Sequence, residues 1–277
     1  MKFSKVVGAL SIFVGLLVVS GPEAVIGQEV VSEIPEIMAV KASKLPEGPH
    51  PSRSDDNCSS DLSSPTTDAG RYVLQRGWGV LSEVDIGEYQ LVSFAGEFIP
   101  GTSGTCAVRQ GNIGVFDGSR LKAILYTASK SDAVIGALVP LEGGNVRLWS
   151  GDYLGYPVAD ISVGSIGLIV DKVAAEDTFC KGTVVVPNVY ELPIPEARDK
   201  LQAAGWEPVP QAREEFGQQV DLHDLGITEA VFCSGTGFAF CSYAYKINGA
   251  HLDVTTAGEL FDGNVPGVVS YAVTCSP

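Results

Sequence analysis

The clearest alternation of hydrophobic and polar residues lies in the C-terminal third of the chain. Two alternating runs, residues 238–247 and 250–256, flank Asn248-Gly249. This dipeptide tolerates the positive φ angles of a type I′ turn, and a two-residue turn fixes the register of the strands beside it. Tyr245 is then expected to face Leu252. The pattern therefore predicts an antiparallel hairpin with one apolar, buried face and one polar face.

The residues before this hairpin predict a strand and a short helix. Thr183–Pro187 is rich in β-branched residues and ends at a proline, which favours a strand. Pro195–Ala204 predicts a helix, because Pro195 can occupy the first helical position and Ala197 and Leu201 fall on one apolar side. Gly205 can take the left-handed conformation that closes the last turn.

Residues 58–173 have the pattern of an antiparallel sheet with one helix. The helix is expected at Thr67–Gln75, where a capping residue precedes the helical pattern. Asp117-Gly118 and Gly143-Gly144 each separate two strand segments and predict hairpins. The predicted strands are apolar or β-branched segments: Tyr89–Phe94, Asn112–Phe116, Leu121–Thr127, Val134–Leu141, Asn145–Trp149 and Ser165–Val170.

Composition and charge restrict the class of protein. The chain has 277 residues, of which 45% are hydrophobic, so it can form a sizeable core. A formal net charge of −15 repels nucleic acids and anionic membranes, and we exclude both as partners. We expect an α+β fold of two small domains, residues 58–175 and 176–277, each a mainly antiparallel sheet with one short helix, braced by disulfides.

The N-terminal residues resemble an export signal. A charged start, Met1–Lys5, is followed by the apolar run Val6–Val19, which is shorter than a membrane span. We expect a signal peptide over residues 1–27 that is removed on export, leaving no stable membrane span. Residues 28–57 are rich in proline, serine and charge, and predict a flexible linker. The location is then the periplasm or the extracellular space.

Six cysteines in an exported chain favour disulfides over thiol chemistry. If the chain divides near residue 175, two cysteines fall in the first half and four in the second, which leaves three possible pairings. Among these we expect Cys58–Cys106, Cys180–Cys275 and Cys233–Cys241. Zinc is the alternative, but no Cys-x-x-Cys pair is present, and we expect no metal.

A family resemblance covers residues 186–206. This segment resembles the opening half of a PASTA module, a small extracytoplasmic domain of bacterial cell-wall proteins. The family usually has glycine where Glu191 occurs. The resemblance implies a β-α-β-β unit, within residues 176–277, that binds peptidoglycan fragments or serves as a spacer. The matching positions are Val186, Pro187, Asn188, Val189, Leu192, Ile194, Glu196, Ala197, Leu201 and Gly205.

One loop and one acidic cluster are candidates for chemistry. Trp149, Asp152, Tyr153 and Tyr156 lie in an aromatic, glycine-containing loop that suits stacking on a sugar ring, although such aromatics also pack against sheets. Residues 221–224, Asp-Leu-His-Asp, suit a base or a metal ligand, but a solvated acidic turn has the same composition.

Two classes of function remain. One is an exported, non-enzymatic cell-envelope protein that binds peptidoglycan, other cell-wall material or an envelope protein through its PASTA-like domain. The alternative is a secreted, glycan-directed hydrolase with a carboxylate pair in the first domain. A scaffold that binds no small ligand is a third reading. No Gly-x-Ser-x-Gly motif occurs, and we assign no catalytic residue. Gly235-Thr-Gly237 lacks the third glycine and the following helix of a nucleotide-binding loop, and we expect no cofactor.

Reduction is predicted to destabilise the protein. Closing the loop between Cys233 and Cys241 alone restricts the unfolded chain enough to stabilise the fold by roughly 2.5 kcal/mol. Thermal denaturation of the exported protein with and without reductant should show a large drop in Tm. Six free thiols in the natively exported protein would contradict the prediction.

Overall fold

The computed structural model describes residues 30–50, 58, 63–129, 132, 134–165, 167–261 and 263–276. The predicted signal peptide, residues 1–27, lies outside them. The helices are α1 (Asp68–Gln75), α2 (Ile194–Ala203) and α3 (Gln218–Asp224). The strands are β1 (Val30–Ser32), β2 (Ile37–Lys41), β3 (Gly79–Ile86), β4 (Tyr89–Ala95), β5 (Glu97–Pro100), β6 (Cys106–Arg109), β7 (Asn112–Asp117), β8 (Arg120–Thr127), β9 (Leu138–Pro140), β10 (Val146–Trp149), β11 (Pro157–Gly164), β12 (Gly167–Asp171), β13 (Glu176–Phe179), β14 (Val184–Pro187), β15 (Glu207–Pro208), β16 (Ala230–Cys233), β17 (Cys241–Ile247), β18 (Ala250–Ala257) and β19 (Gly267–Cys275).

The strands form three five-stranded sheets and two smaller pairs within the described residues. The inner sheet has the order β2-β8-β7-β4-β3, and the outer sheet has the order β1-β12-β11-β10-β9. In the C-terminal sheet the order is β15-β17-β18-β19, with β16 also paired to β17. Strands β13 and β14 form what we call the linking hairpin, and β5 pairs with β6. The fold is α+β, mostly sheet, as the sequence indicated.

The first half of the chain is built in three layers, because both faces of the inner sheet are apolar. Adjacent residues of a strand point to opposite faces, so Leu91 joins the core between the inner and outer sheets while Val92 joins a second core. Helix α1 covers this second core with Ala69 and Val73. Strand alternation on a sheet covered on both sides therefore accounts for the layering.

The C-terminal half has its own core. Ile194, Ala197 and Leu201 recur at helical spacing on α2 and are fully buried in one cluster with Trp206 and the apolar face of the β17–β18 hairpin. Helix α2 begins at Ile194, one residue before the predicted start, so Pro195 is its second residue, and Gly205 has φ 91° beyond its end.

A buried carboxylate connects α2 to the C-terminal sheet. Glu229 Oε1 accepts a 2.9 Å hydrogen bond from the Tyr245 hydroxyl. Arg198 Nε lies 2.8 Å from the same oxygen. Burial, followed by the charge of Glu229, raises the pKa of Tyr245 above its usual value, so the phenol keeps its proton and remains a donor.

The predicted hairpins are confirmed. Strands β7 and β8 pair across Asp117-Gly118, and β9 and β10 pair across Gly143-Gly144. Helix α1 begins one residue after its Thr67 N-cap. Around Asn248-Gly249 the register is the expected one: Ile247 opposite Ala250, Lys246 opposite His251, Tyr245 opposite Leu252, Ala244 opposite Asp253 and Tyr243 opposite Val254.

The expectation of a flexible linker over residues 28–57 is wrong for residues 30–50. Strand β1 pairs with β12 and β2 pairs with β8, and Leu45 is fully buried. Strands of three and five residues are too short to show a periodic pattern, and most of the apolar surface that buries them belongs to distant strands. Residues 51–57 lie outside the described residues.

The expectation of one short helix is wrong for the C-terminal half, where the structure describes two, α2 and α3. Residues 221–224, which the sequence suggested to be a polar loop, belong to α3. Leu222 and Gln219 are fully buried on its inner side. The N-cap of α3 is Gly217, whose lack of a side chain leaves no capping signal in the sequence.

All three expected disulfides are present: Cys58–Cys106, Cys180–Cys275 and Cys233–Cys241. They fit a protein that matures in an oxidising compartment. In the described part of the chain, no helix has the length and apolar character needed to cross a bilayer.

The start of α1 provides a prediction about acid stability. The Thr67 hydroxyl caps the helix by accepting from Gly70 N at 3.0 Å. The Glu83 carboxylate in turn accepts from the backbone N–H groups of Thr66 and Thr67, at 2.7 and 3.1 Å, and from both hydroxyls. Partial burial raises the pKa of Glu83, but these hydrogen bonds outweigh it and leave the pKa below the usual value.

We expect Glu83→Gln to lower the free energy of unfolding by about 1 kcal/mol at neutral pH. The stabilisation by ionised Glu83 is complete above the unfolded-state pKa of about 4.3 and is lost as pH falls through the lower folded-state value. Urea denaturation across acidic pH should therefore show a shallower loss of stability in the variant. Glu88→Gln, in an exposed turn, is the control, and equal acid sensitivity of all three proteins would refute the assignment.

Candidate functional site

Strand β10 presents its polar residues to the C-terminal half of the chain. Val146 and Leu148 are buried in the core between the inner and outer sheets. Alternation along the strand places Arg147 and Trp149 on the other face. The side chains of Arg147 and Trp149 there meet the linking hairpin and Tyr190.

Arg147 forms a buried ion cluster with two aspartates. Only 1% of Arg147 is exposed. Asp160, its register partner on β11, accepts from Nε at 2.8 Å and Nη2 at 2.9 Å. Asp177 of the linking hairpin accepts from Nη1 at 2.6 Å and Nη2 at 2.8 Å. Burial alone lowers the pKa of Arg147, but the hydrogen bonds and charges of the two carboxylates outweigh it and raise that pKa, so Arg147 stays charged.

Aromatic rings surround this cluster. The Tyr271 hydroxyl of β19 donates to Asp177 at 2.6 Å, and its ring stacks on Tyr190 with centroids 4.5 Å apart. Trp149 meets Tyr190 edge-on at 5.2 Å. The Trp149 Nε1 group is buried and has no hydrogen-bond partner among the described residues. We call the adjoining space, of about 390 Å³, the Arg147 cavity.

The loop between β10 and β11 is closed on itself. Ser150 N donates to Tyr156 O at 2.8 Å, and Tyr156 N donates to Ser150 Oγ at 3.1 Å. A register shift between Leu148 and Trp149 marks the point where β10 leaves regular pairing. A register shift of this kind changes the direction of the strand and of its side chains. Here the shift lies just before the loop that contains Tyr156.

Tyr156 lines a second space, of about 480 Å³, which we call the Tyr156 cleft. Its walls come from the β10–β11 loop, the segment before α2, the loop closed by Cys233–Cys241, and the ends of β18 and β19. The lining residues are Leu154, Gly155, Tyr156, Tyr190, Glu191, Gly237, Phe238, Ala239, Ala257, Gly258, Glu259, Gly267, Val268 and Val269. Tyr190 lines both the cleft and the Arg147 cavity.

The backbone of the cleft is strained at two positions. Glu191 has φ 63° and Ala239 has φ 50°, values that side chains with a Cβ rarely adopt. Glu191 N donates to Val268 O at 2.8 Å, which holds the conformation of Glu191 against β19. Ala239 belongs to the short loop closed by the Cys233–Cys241 disulfide. Strain of this kind clusters at binding sites, so the cleft is the main candidate site.

The residues singled out in the sequence do not form one site. Tyr156 lies in the Tyr156 cleft, and Trp149 lies in the Arg147 cavity. Asp152 and Tyr153 line a third space on the other side of the loop, also of about 480 Å³. The Tyr153 ring there fills the position that a Cβ on Gly101 would take, which shows that Tyr153 packs on the β5–β6 hairpin.

The acidic segment of α3 has structural contacts. His223 Nε2 lies 3.1 Å from Gln219 Nε2, and Asp224 forms an ion pair with Arg213 at 2.9 Å. Over the residues that the structure describes, no group of three or more His, Cys, Asp and Glu side chains is placed to hold a metal.

Sequence reasoning missed the ion cluster, although part of its signal was visible. Arg147 is the one charged residue in Val146–Trp149, and Asp160 interrupts the apolar β11 in the same way. Pairing the two strands across the loop would have placed these opposite charges face to face. Asp177 and Tyr271 gave no such signal, because each joins the cluster through tertiary contacts alone.

The ion cluster provides a prediction about stability. Arg147→Met leaves Asp160 and Asp177 buried without their partner, so the free energy of unfolding should fall by about 3–5 kcal/mol. Adding Asp160→Asn and Asp177→Asn should recover part of the loss, since the uncompensated charges are removed.

Chemical denaturation measures these differences, and Arg120→Met is the control. Arg120 pairs with Asp117 at 2.8 Å in an exposed turn. Arg120→Met should therefore lower the free energy of unfolding by less than about 1 kcal/mol. Equal effects of Arg147→Met and Arg120→Met would show that the buried cluster does not hold the fold.

Comparisons with known proteins give no further guide to function. No protein-family model matches the chain, and no curated protein or solved structure is similar to it. The resemblance over residues 186–206 therefore rests on the sequence alone.

Proposed function

We propose that the protein is an exported, non-enzymatic binding protein of the bacterial cell envelope that holds cell-wall material in the Tyr156 cleft. The observation that carries the proposal is the cleft itself: an apolar, aromatic-lined space with carboxylates at its wall and a strained backbone around it. Saccharides and peptides are bound by such surfaces, because rings stack on aromatics while polar groups fix the orientation of the ligand.

The neighbouring Arg147 cavity supports the same assignment. Trp149 and Tyr190 line it, and aromatic rings of this kind pack against sugar rings and apolar groups. Glu142 and Asn145 at the same cavity supply polar groups for hydroxyl or amide groups. Because Tyr190 lines both the Tyr156 cleft and the Arg147 cavity, an extended ligand that passes Tyr190 would contact both spaces.

Within this proposal the chain divides near residue 175, and residues 176–277 form a PASTA-like domain. Residues 186–206 span the end of β14 and all of α2. Glu191 departs from the glycine that is usual in the family, and its φ of 63° is one that glycine adopts without strain. This agreement between backbone conformation and the usual residue supports the resemblance.

Glycan hydrolysis has less support. A glycosidase needs a carboxylic acid that can donate its proton and a second carboxylate that is free to act on the sugar or on water. The Arg147 cavity brings Asp160 and Asp177 together beside aromatic rings, but both carboxylates bind Arg147 through two hydrogen bonds each. Both carboxylates are therefore paired with Arg147, and neither is free to act on a sugar or on water.

Sedimentation with purified, insoluble peptidoglycan tests the proposal. The protein should be retained without releasing soluble fragments. Tyr156→Ala should weaken retention by about tenfold, since it removes the most exposed ring of the cleft. Tyr153→Ala is the matched control, because it truncates a tyrosine of the same loop that lines a different space.

Lack of retention of the unaltered protein, or equal losses in the two variants, would reject the proposed site. Release of soluble fragments would instead favour the hydrolase.

A further inference from the structure

The charges lining the Tyr156 cleft have one sign. Glu191 and Glu259 line it, and no lysine, arginine or histidine occurs among the described residues that do. Both glutamates are exposed, so their carboxylates meet any ligand that enters. The remaining walls are apolar, with Leu154, Val268 and Val269.

The negative potential extends over the aromatic side of the cleft. Burial raises the pKa of the Tyr156 hydroxyl, and the negative charges of Asp152, Glu191 and Asp132 raise it further. Tyr156 keeps its proton, and its ring stays neutral in an acidic surrounding. The face of such a ring attracts a cation.

The residue at position 191 is informative because its backbone favours glycine. Its φ of 63° makes any side chain with a Cβ less stable there than glycine. The carboxylate of Glu191 is present at the wall of the cleft in spite of this cost. A strained residue that also contributes charge to a cavity indicates a role in binding rather than in folding.

We infer that the Tyr156 cleft selects ligands that carry an ammonium group on an apolar stem, as a lysine-like side chain does. The ammonium lies near Glu191 and Glu259 and against the Tyr156 ring, and the stem packs on Leu154 and Val269. This inference rests on the proposed function, because it concerns the same cleft. It adds the chemical group of the cell-wall material that the cleft would recognise.

Two small probes separate charge recognition from apolar contact. Nα-acetyl-lysine methylamide carries the ammonium, and Nα-acetyl-norleucine methylamide is its neutral counterpart with a similar stem. Calorimetric titration of the full exported chain at low salt should show at least about tenfold tighter binding of the lysine probe. The preference should shrink at high salt, because the rim of the cleft is exposed to solvent.

The variants locate the effect. Glu191→Gln combined with Glu259→Gln should abolish the preference for the lysine probe while leaving binding of the norleucine probe unchanged. Glu176→Gln, which removes an exposed carboxylate at the Arg147 cavity, should keep the preference. Glu191→Gly should weaken it while raising Tm, because glycine relieves the left-handed conformation. Weaker binding in a more stable protein is not explained by misfolding.

Equal binding of the two probes, no binding of either, or a preference that survives the double substitution would overturn the inference. These outcomes are distinct from failure of the proposed function. Retention on peptidoglycan without a preference for the lysine probe would support the proposed function and reject the inference about the ammonium group. A clear preference for the lysine probe without retention would support that inference and reject binding to peptidoglycan.

Discussion

The contact between Arg147 and its two aspartates is the constraint on which the rest of the structure depends. Asp160 belongs to the outer sheet and Asp177 to the linking hairpin, so one buried guanidinium fixes the two halves of the chain against each other. A charge removed from water must be paired, so moving the hairpin away from β10 would leave Arg147 and Asp177 without part of their pairing. Both candidate spaces lie next to the joint that results, with Tyr190 between them.

The Tyr156 cleft illustrates a division between groups that stabilise the fold and groups that remain free for a ligand. The carboxylates of Asp160 and Asp177 are saturated by donors and almost wholly buried, whereas those of Glu191 and Glu259 are exposed at the cleft. The same contrast applies to the tyrosines. Tyr271 is tied to Asp177 through its hydroxyl, while Tyr156 keeps an exposed ring. We therefore assign the proposed recognition to side chains that the ion cluster does not engage.

Local signals in the sequence were sufficient where each element determines its own geometry. The Asn248-Gly249 turn specified the register of its strands, and the local start and stop signals placed the ends of α1 and α2 to within one residue. Tertiary requirements were not readable in this way. Strands β1 and β2 are defined by partners more than eighty residues away, and α3 begins at a glycine without a capping side chain. The cleft could not be located for the same reason, because its walls come from five separate segments and the aromatic loop supplies only one of them.

Mapping the ligand on the protein would show whether the Tyr156 cleft is the binding site. Amide chemical-shift changes would be recorded on the isotope-labelled exported chain as soluble peptidoglycan fragments are added. We expect the largest changes to cluster at Tyr156, Tyr190, Glu191 and Phe238, around one cleft at the joint between the two halves. Changes centred on α3 or on the β5–β6 hairpin, or no changes at saturating fragment, would contradict it.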